Sequence, residues 1–162
     1  MNSNHQLIDR FDRAFQQRDW AAMNACYHPD IHFSDPVFTD LHGDEARAMW
    51  HMLCERGTDL QVVYRDIRAD EGTVHAHWEA TYTFSTTGRS VHNIVDATFK
   101  FQDGQIIRHE DVFDLWRWMR MALGATGTVL GWSPYLKNKV RTTAMRGLRA
   151  SMERTPTNND LA

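Results

Sequence analysis

The chain has 162 residues, a length that fits one domain with a substantial buried core. Residues 1–132 hold 12 Lys and Arg against 19 Asp and Glu, whereas residues 133–162 hold 6 against 2. The acidic body disfavours binding of nucleic acid. No stretch reaches the roughly 18 apolar residues of a membrane span, and the first residues show no cationic, apolar leader. We therefore expect a cytoplasmic protein.

The first sixty residues are predicted to be mainly helical. Apolar side chains recur at helical spacing over residues 7–15, behind Ser3 as the predicted cap. Asp19 is placed to cap a second helix, which residues 28–29 would end because they include a proline. Glycines at both limits predict a third helix over residues 43–57.

Strands are predicted for the middle of the chain. A short strand covers residues 31–38, and from residue 60 the spacing of apolar residues changes from 3.6 to 2. Residues 73–84, 91–101 and 107–113 alternate between apolar and polar side chains, which is typical of antiparallel strands with one buried face. Glycine-containing turns separate them, so they form adjacent hairpins. Helices followed by such a meander indicate an α+β fold.

The last third is predicted to return to helix. Residues 114–123 are rich in Trp and Met, residues 124–127 interrupt the pattern, and a Ser-Pro pair at residues 133–134 starts a final helix. We assign residues 1–132 to one domain and residues 133–162 to a basic helix with a frayed tail that packs on it. A basic amphipathic helix can also touch an anionic membrane, but we consider that less favoured.

Four polar side chains interrupt the apolar face of the predicted sheet. They are Asn93, His109 and Asp111 on the strands, and Asp35, which shares the face of Phe33 two residues earlier. An unpaired buried polar group costs roughly 1–3 kcal/mol, so each must be either satisfied or functional. An apolar wall raises the pKa of a carboxyl group, and a neighbouring imidazole can orient or relay its proton. The alternative is a structural network in which His109 and Asp111 pair with each other or with Asn93.

Other kinds of site have less support in the sequence. His75, His77 and His92 lie on the polar face of the strands and would bind a metal only if the strand register brought them together. A solvated face or a subunit contact is favoured instead. Phosphate-binding glycine loops and nucleophile elbows are missing from the sequence, and we predict neither a metal site nor a cofactor.

The order of the elements resembles the nuclear-transport-factor-2-like superfamily, in its SnoaL-like and ketosteroid-isomerase-like branch. Two segments carry the resemblance, residues 19–53 and the sequence FKFQDGQIIRHEDVFD at residues 99–114. The resemblance implies an α+β cone in which a curved antiparallel or mixed sheet wraps around the N-terminal helices. A C-terminal helical extension would follow this cone.

The resemblance also suggests roles for single residues. Asp35 falls where ketosteroid isomerases keep the aspartate that shuttles the proton. Their two oxyanion-hole positions correspond to Phe11 and Ala97, whose side chains cannot donate a hydrogen bond. Asp111 matches the acidic residue on the last strand of SnoaL-like cyclases and of epoxide hydrolases, although the hydrolases' other two polar residues are replaced here.

We predict an acid/base enzyme, namely an isomerase, a cyclase or an epoxide-hydrolase-like protein, that acts on an apolar, oxygenated small molecule. Asp111 would be the general acid/base, His109 its orienting or relaying partner, and Asp35 the second carboxylate. The alternative is a non-catalytic ligand-binding or dimerisation module, and a homodimer is expected. The predicted ligand-binding wall consists of Phe11, Trp50, Trp78, Tyr82, Asn93 and Phe113.

Overall fold

The computed structural model describes residues 2–154, and the predicted frayed tail at residues 155–162 lies outside them. The described residues form helices at both ends of the chain and one six-stranded sheet between them. The elements in chain order are α1 (Ser3–Gln16), α2 (Trp20–Ala25), β1 (Tyr27–Ser34), β2 (Leu41–His42), α3 (Asp44–Arg56), β3 (Gln61–Asp70), β4 (Thr73–Phe84), β5 (Arg89–Gln102), β6 (Gln105–Val112), α4 (Leu115–Leu123), α5 (Ala125–Leu130) and α6 (Pro134–Arg154).

The sheet is mixed and open, with the strand order β2-β1-β6-β5-β4-β3. Strands β3 to β6 form the predicted antiparallel meander, and β1 joins β6 in parallel. The register shifts within the β1–β6, β3–β4 and β5–β6 pairs. Such irregularities bend a sheet and increase its twist. The α+β cone with a mixed sheet is therefore confirmed.

Helices α1 and α3 cover the inner face of this sheet. Helix α1 packs against β3 and β4, and α3 packs against β1. The ring of Phe15 lies 5.0 Å from that of Trp50 and 5.3 Å from that of Trp78. These edge-to-face contacts join both helices to the sheet, since aromatic rings favour that arrangement and bury large areas.

Side-chain caps define the N-terminal helices, with two differences from the sequence prediction. Asn2 caps α1 in place of Ser3, because its side chain accepts a hydrogen bond from the amide of Asn4 at 2.8 Å. Asp19 caps α2 as predicted. The prediction that residues 28–29 end the second helix is wrong, because α2 ends at Ala25 and β1, predicted over residues 31–38, spans Tyr27–Ser34. Pro29 is accommodated in β1 because it lies within the register shift between Tyr27 and His32, and prolines within sheets occur at edges and at such irregularities.

The C-terminal helices pack on the same body. Asp114 caps α4, and this helix ends at Leu123, before the interruption predicted at residue 124. Residues 125–130 nevertheless form the short helix α5, where an interruption was predicted. Helix α6 packs against α3 and buries Leu136 and Leu148. Within residues 2–154 no helix combines the length and the hydropathy that a transmembrane span requires.

Candidate active site

The two polar residues of strand β6 point into the interior. His109 lies opposite Phe99, and Asp111 lies opposite Ala97, in the antiparallel register with β5. Side chains alternate between the two faces of a strand, so residues two apart share one face. The exposed fraction is 1% for His109 and 3% for Asp111. Their side chains pair with each other, with His109 Nε2 lying 2.7 Å from Asp111 Oδ1, and Asn93 is not part of this pair.

A hydrogen-bonded chain continues from His109 through two further buried side chains. The indole Nε1 of Trp50 donates to the hydroxyl of Tyr27 at 2.7 Å, and that hydroxyl lies 2.7 Å from His109 Nδ1. An indole N–H can only donate, so the hydroxyl of Tyr27 accepts from Trp50; its own hydrogen has no acceptor within hydrogen-bond distance among the described residues other than Nδ1, and it donates there. The Nε2 of His109 then carries the ring hydrogen and donates it to Asp111. This chain assigns the imidazole tautomer.

Aromatic rings enclose the imidazole of His109. Its centroid lies 4.3 Å from the ring of Phe99, 5.0 Å from that of Phe33, 5.5 Å from that of Phe11 and 5.9 Å from that of Trp50. Apolar surroundings strengthen the hydrogen bonds of a buried polar group. A buried polar group without a hydrogen-bond partner is costly in free energy there. The imidazole is therefore held in one orientation by its neighbours.

A third carboxyl group, which the sequence analysis missed, lies on α1. Asp12 is 2% exposed, and its Oδ2 atom has no hydrogen-bond partner. Burial raises the pKa of Asp12 well above its usual range, and the charges of Asp111 and Asp9 raise it further. Burial therefore favours the protonated, neutral form of the Asp12 carboxyl group. The sequence signal was available, since residue 12 follows Ile8 by four positions and so lies on the apolar side of the helix.

Asp35 lies in the turn that follows β1. Its Oδ1 accepts hydrogen bonds from the amides of Val37 at 2.7 Å and Phe38 at 2.6 Å. Burial nevertheless raises the pKa of Asp35 to about 7, with a smaller contribution from the charge of Asp111, against the lowering effect of the two amides. Asp35 is half-buried, whereas Asp12 and Asp111 are buried. Asp35 is thus the most accessible of the three carboxyl groups.

Helices α4 and α6 contact residues around the Asp35 turn. The indole of Trp118 on α4 donates to the hydroxyl of Tyr82 at 2.8 Å. Burial raises the pKa of Tyr82, and the charge of Asp35 adds to this, so the two groups lie within electrostatic reach of each other. From α6, the guanidinium of Arg141 donates to the backbone carbonyl of Pro36 at 2.9 Å. Both helices therefore brace the surroundings of Asp35.

The residues predicted to form the ligand-binding wall fall into two groups. Phe11, Trp50, Trp78 and Asn93 are buried, whereas Tyr82 and Phe113 are half-buried. Two surface depressions of the described residues lie elsewhere. One, of about 790 Å³, is on the outer face of β3 to β5, and another, of about 320 Å³, is on α6. Neither depression is lined by the predicted wall residues or by Asp12, Asp35 or Asp111.

The histidines of the outer face do not converge. His75 Nδ1 lies 3.2 Å from the hydroxyl of Thr98, whereas His77 and His92 both contact Glu79, at 3.1 and 2.8 Å. Each imidazole already has a protein partner. The strand register therefore does not assemble the three histidines into one ligand set.

Comparisons with known proteins agree with this architecture. The sequence profile of the SnoaL-like domain matches residues 8–109. No curated protein matches the chain. Three solved structures share its fold: an NTF2-like protein of unknown function from Burkholderia pseudomallei K96243 (18% identity, TM-score 0.65, 75% of this chain and 98% of that chain covered), an LEH-like epoxide hydrolase from M. tuberculosis (20%, 0.62, 82% and 96%) and a putative polyketide cyclase from Xanthomonas campestris pv. campestris (24%, 0.58, 72% and 94%).

Proposed function

Because the chain belongs to the SnoaL-like domain family, we propose that it is an acid/base enzyme acting on an apolar, oxygenated small molecule. The observation that carries this proposal is the grouping of Asp12, Asp35 and Asp111 in an aromatic interior. The charge of Asp111 raises the pKa of both other carboxyl groups, which puts the three within electrostatic reach. Neighbouring carboxyl groups with separated pKa values provide an acid and a base at one pH.

Asp35 is the proposed group that exchanges a proton with the substrate. Its pKa of about 7 means that the acid and the carboxylate are both present at neutral pH, and this is the range in which a general acid/base works best. The half-buried position of Asp35 leaves it within reach of a ligand that enters beside Tyr82. Its Oδ2 takes no part in the two amide hydrogen bonds of the turn, so this oxygen is the proposed proton carrier.

Asp111 is the proposed second catalytic carboxylate, and His109 is its positioning residue. The Nε2–H of His109 donates a hydrogen bond to Oδ1 of Asp111. The other carboxylate oxygen, Oδ2, is the atom proposed to contact the substrate. His109 in turn is oriented by Tyr27 and Trp50. A fixed base needs no rearrangement at the moment of reaction, and this preorganisation is a large part of catalysis.

Asp12 is the proposed hydrogen-bond donor to the oxygen on which negative charge develops. Ketosteroid isomerases, which the chain resembles, use side-chain donors at the positions of Phe11 and Ala97, and neither residue can donate here. A protonated Asp12 follows Phe11 directly in α1 and has a carboxyl oxygen without a partner in the fold. A neutral carboxylic acid in an apolar site is an effective donor of this kind.

The three carboxyl groups favour one of three classes of reaction, namely an isomerisation, a cyclisation or an epoxide opening. Each of these needs a proton moved at carbon or oxygen while charge develops on an oxygen atom, and a group of carboxyl side chains in which the pKa values of Asp12 and Asp35 are raised meets that need. Two of the proteins with the same fold are named as an epoxide hydrolase and a putative polyketide cyclase. At 20% and 24% identity these names support the class of chemistry and leave the substrate open.

The test is a substrate panel with two variants and a matched control. Wild-type protein is incubated with cyclic epoxides and with cyclic β,γ-unsaturated ketones, and diol formation or conjugation of the double bond is measured. For any activity found, we expect Asp35→Asn and Asp111→Asn to lower kcat/KM about 100-fold or more. Asp30→Asn, which alters an exposed carboxylate on β1, should match the wild type. Activity that persists in both site variants with an unchanged pH profile would overturn the assignment.

A non-catalytic ligand-binding module is the second candidate, and the enclosure of His109 favours it. Both imidazole nitrogens already have protein partners at 2.7 Å, so the chain of hydrogen bonds is complete without a substrate. A protein that binds members of the panel, as measured by tryptophan fluorescence, and converts none of them between about pH 5 and pH 9 would have this function. Conversion that depends on Asp35 would exclude it.

A further inference from the structure

Two histidines and an aspartate meet at the edge of the sheet, away from the site described above. His32 on β1 and His42 on β2 are direct cross-strand partners in the antiparallel register. Asp40 lies just before β2 and reaches the same place. Because partners across two antiparallel strands point to the same face, the two imidazoles stand side by side there. Their rings are stacked, with centroids 4.4 Å apart and an angle of 8° between the planes.

The ligating atoms of these three side chains converge on one point. The Nε2 atoms of His32 and His42 lie 2.5 and 2.9 Å from the same oxygen of Asp40, Oδ1. All three atoms lie within 4.8 Å of one another. Ligand atoms about 2 Å from one tetrahedral ion lie roughly 3.3 Å apart, so a bound ion would replace the two hydrogen bonds of Asp40 after these distances open by less than about 1 Å. Among the described residues, no other group of His, Cys, Asp and Glu side chains meets the same distance limit.

Solvent reaches this group, which leaves room for a further ligand. The exposed fraction of the side chain is 31% for His32 and 64% for both His42 and Asp40. Three protein ligands and a water molecule complete a tetrahedral site. Two imidazoles and one carboxylate suit a transition-metal ion such as Zn²⁺, whereas Mg²⁺ and Ca²⁺ prefer a shell of oxygen atoms.

We propose that His32, Asp40 and His42 bind a divalent transition-metal ion, with Zn²⁺ as the representative ion. The bound ion accepts one lone pair from each Nε2 atom and one from the carboxylate, and water takes the fourth position. The ion links β1 to the segment that returns from Asp35 to β2, and so braces the turn that carries Asp35. The site itself is independent of the proposed catalytic function.

The experiment measures Zn²⁺ binding to the full chain without a histidine tag. We expect one Zn²⁺ per chain by isothermal titration calorimetry, and a visible absorption band from Co²⁺ bound in the same place. His42→Ala and Asp40→Asn should each weaken binding at least about tenfold. Both positions are exposed, so the fold should be kept, and His32→Gln serves as a third variant. Addition of Zn²⁺ should also raise the melting temperature of the wild type, because binding to the native state stabilises it.

His77→Ala is the matched control. It removes one imidazole from the other histidine-rich surface of the protein, where His77 contacts Glu79 and Asp96. The proposal expects Zn²⁺ affinity to be unchanged in this variant. It is overturned if the wild type takes up no Zn²⁺ in a saturable manner. It is equally overturned if His42→Ala and Asp40→Asn bind Zn²⁺ like the wild type, or if only His77→Ala loses binding.

Discussion

The two faces of the central sheet carry the same kind of residue pair in opposite surroundings. On the inner face, His109 and Asp111 are 2.7 Å apart, and their side chains are 1% and 3% exposed. On the outer face, His77 and Asp96 are 2.9 Å apart, and their side chains are 18% and 82% exposed. The distances are similar, but only the inner pair is cut off from water on all sides.

This difference in burial decides what each pair contributes to the protein. An exposed ion pair exchanges water for a partner of similar strength, so its net contribution is small. In a buried pair, water cannot replace a lost partner. Each polar atom left without a hydrogen bond therefore lowers the free energy of unfolding. We therefore expect substitutions on the inner face to act on stability and catalysis. Substitutions on the outer face should change local pKa values and little else.

The largest effect is expected from Tyr27→Phe. This variant removes the hydroxyl that joins Trp50 to His109 and leaves the indole N–H and His109 Nδ1 without partners. Two unsatisfied buried groups should lower the free energy of unfolding by about 2–6 kcal/mol, as measured by chemical denaturation. Tyr64→Phe, which removes a half-buried hydroxyl bonded to Asp9, should cost clearly less. Equal losses of unfolding free energy in both variants would mean that the buried chain of hydrogen bonds stabilises the fold no more than a half-buried hydrogen bond does.

The next effect is a dependence of stability on pH caused by Asp35. Its pKa is about 7 in the native state against 3.8 for the free side chain, so the native state binds an extra proton between these two pH values. The free energy of unfolding should therefore fall as the pH rises through this window, by at most about 4 kcal/mol, and level off above it.

Asp35→Asn should remove this part of the pH dependence. The amide oxygen can still accept the hydrogen bonds from Val37 and Phe38, so the turn is preserved. Denaturation at about pH 5 and about pH 8 should show a gain in stability for the variant that is larger at the higher pH. A difference between variant and wild type that stays constant with pH would show that Asp35 titrates normally.

A smaller effect is expected from Trp118→Phe, at the boundary between the interior and solvent. The variant loses the hydrogen bond from the indole to Tyr82, which is part-buried. One such bond contributes about 1 kcal/mol, and denaturation should show a loss of this order together with reduced packing of α4. Trp116→Phe, which alters an exposed indole on the same helix, is the control. A loss as large as that of Tyr27→Phe would contradict the ranking by burial.

The smallest effect on stability is expected from Asp96→Asn on the outer face. The hydrogen bond that Asp96 accepts from His77 is the main reason why the pKa of His77 is raised, and burial opposes it. The pKa of His77 should therefore fall in the variant, as measured by NMR titration of the imidazole. In the wild type this pair stabilises the fold at pH values below the ordinary pKa of histidine, and the contribution is lost as the pH rises through the raised value. A large change in the free energy of unfolding at any pH would mean that the outer pair contributes to stability as the inner pair does.

The alternation of apolar residues was enough to predict the sheet and the inward orientation of its polar side chains. His109 and Asp111 were assigned to the buried face because they follow the same two-residue spacing as their apolar neighbours, and both are buried. The pairing of the two with each other was one of the alternatives that the sequence left open. Asp35 was assigned to the same face, and it lies in a turn whose amides hold its carboxylate.

Other parts of the site depended on contacts between distant segments. Tyr27 was expected at the end of a helix, and its place in the hydrogen-bonded chain depends on the parallel pairing of β1 with β6. Asp12 is separated from Asp111 by 99 positions in the chain, so no local pattern shows that their charges interact. Helical spacing places residue 12 on the inner face of α1. The other buried residues of this helix are apolar, and Asp12 was not singled out among them.

By itself, the sequence determined the class of fold, the order of its longer elements and the faces of its long strands. Those features follow from the two periodicities of apolar residues and from caps and turns, which act over a few neighbouring positions. Only the tertiary structure decided which polar groups meet, which carboxyl groups have a raised pKa and how far each is shielded from water. Those properties depend on distances between residues far apart in the chain and on the loss of solvent around them, and neither is encoded in local spacing.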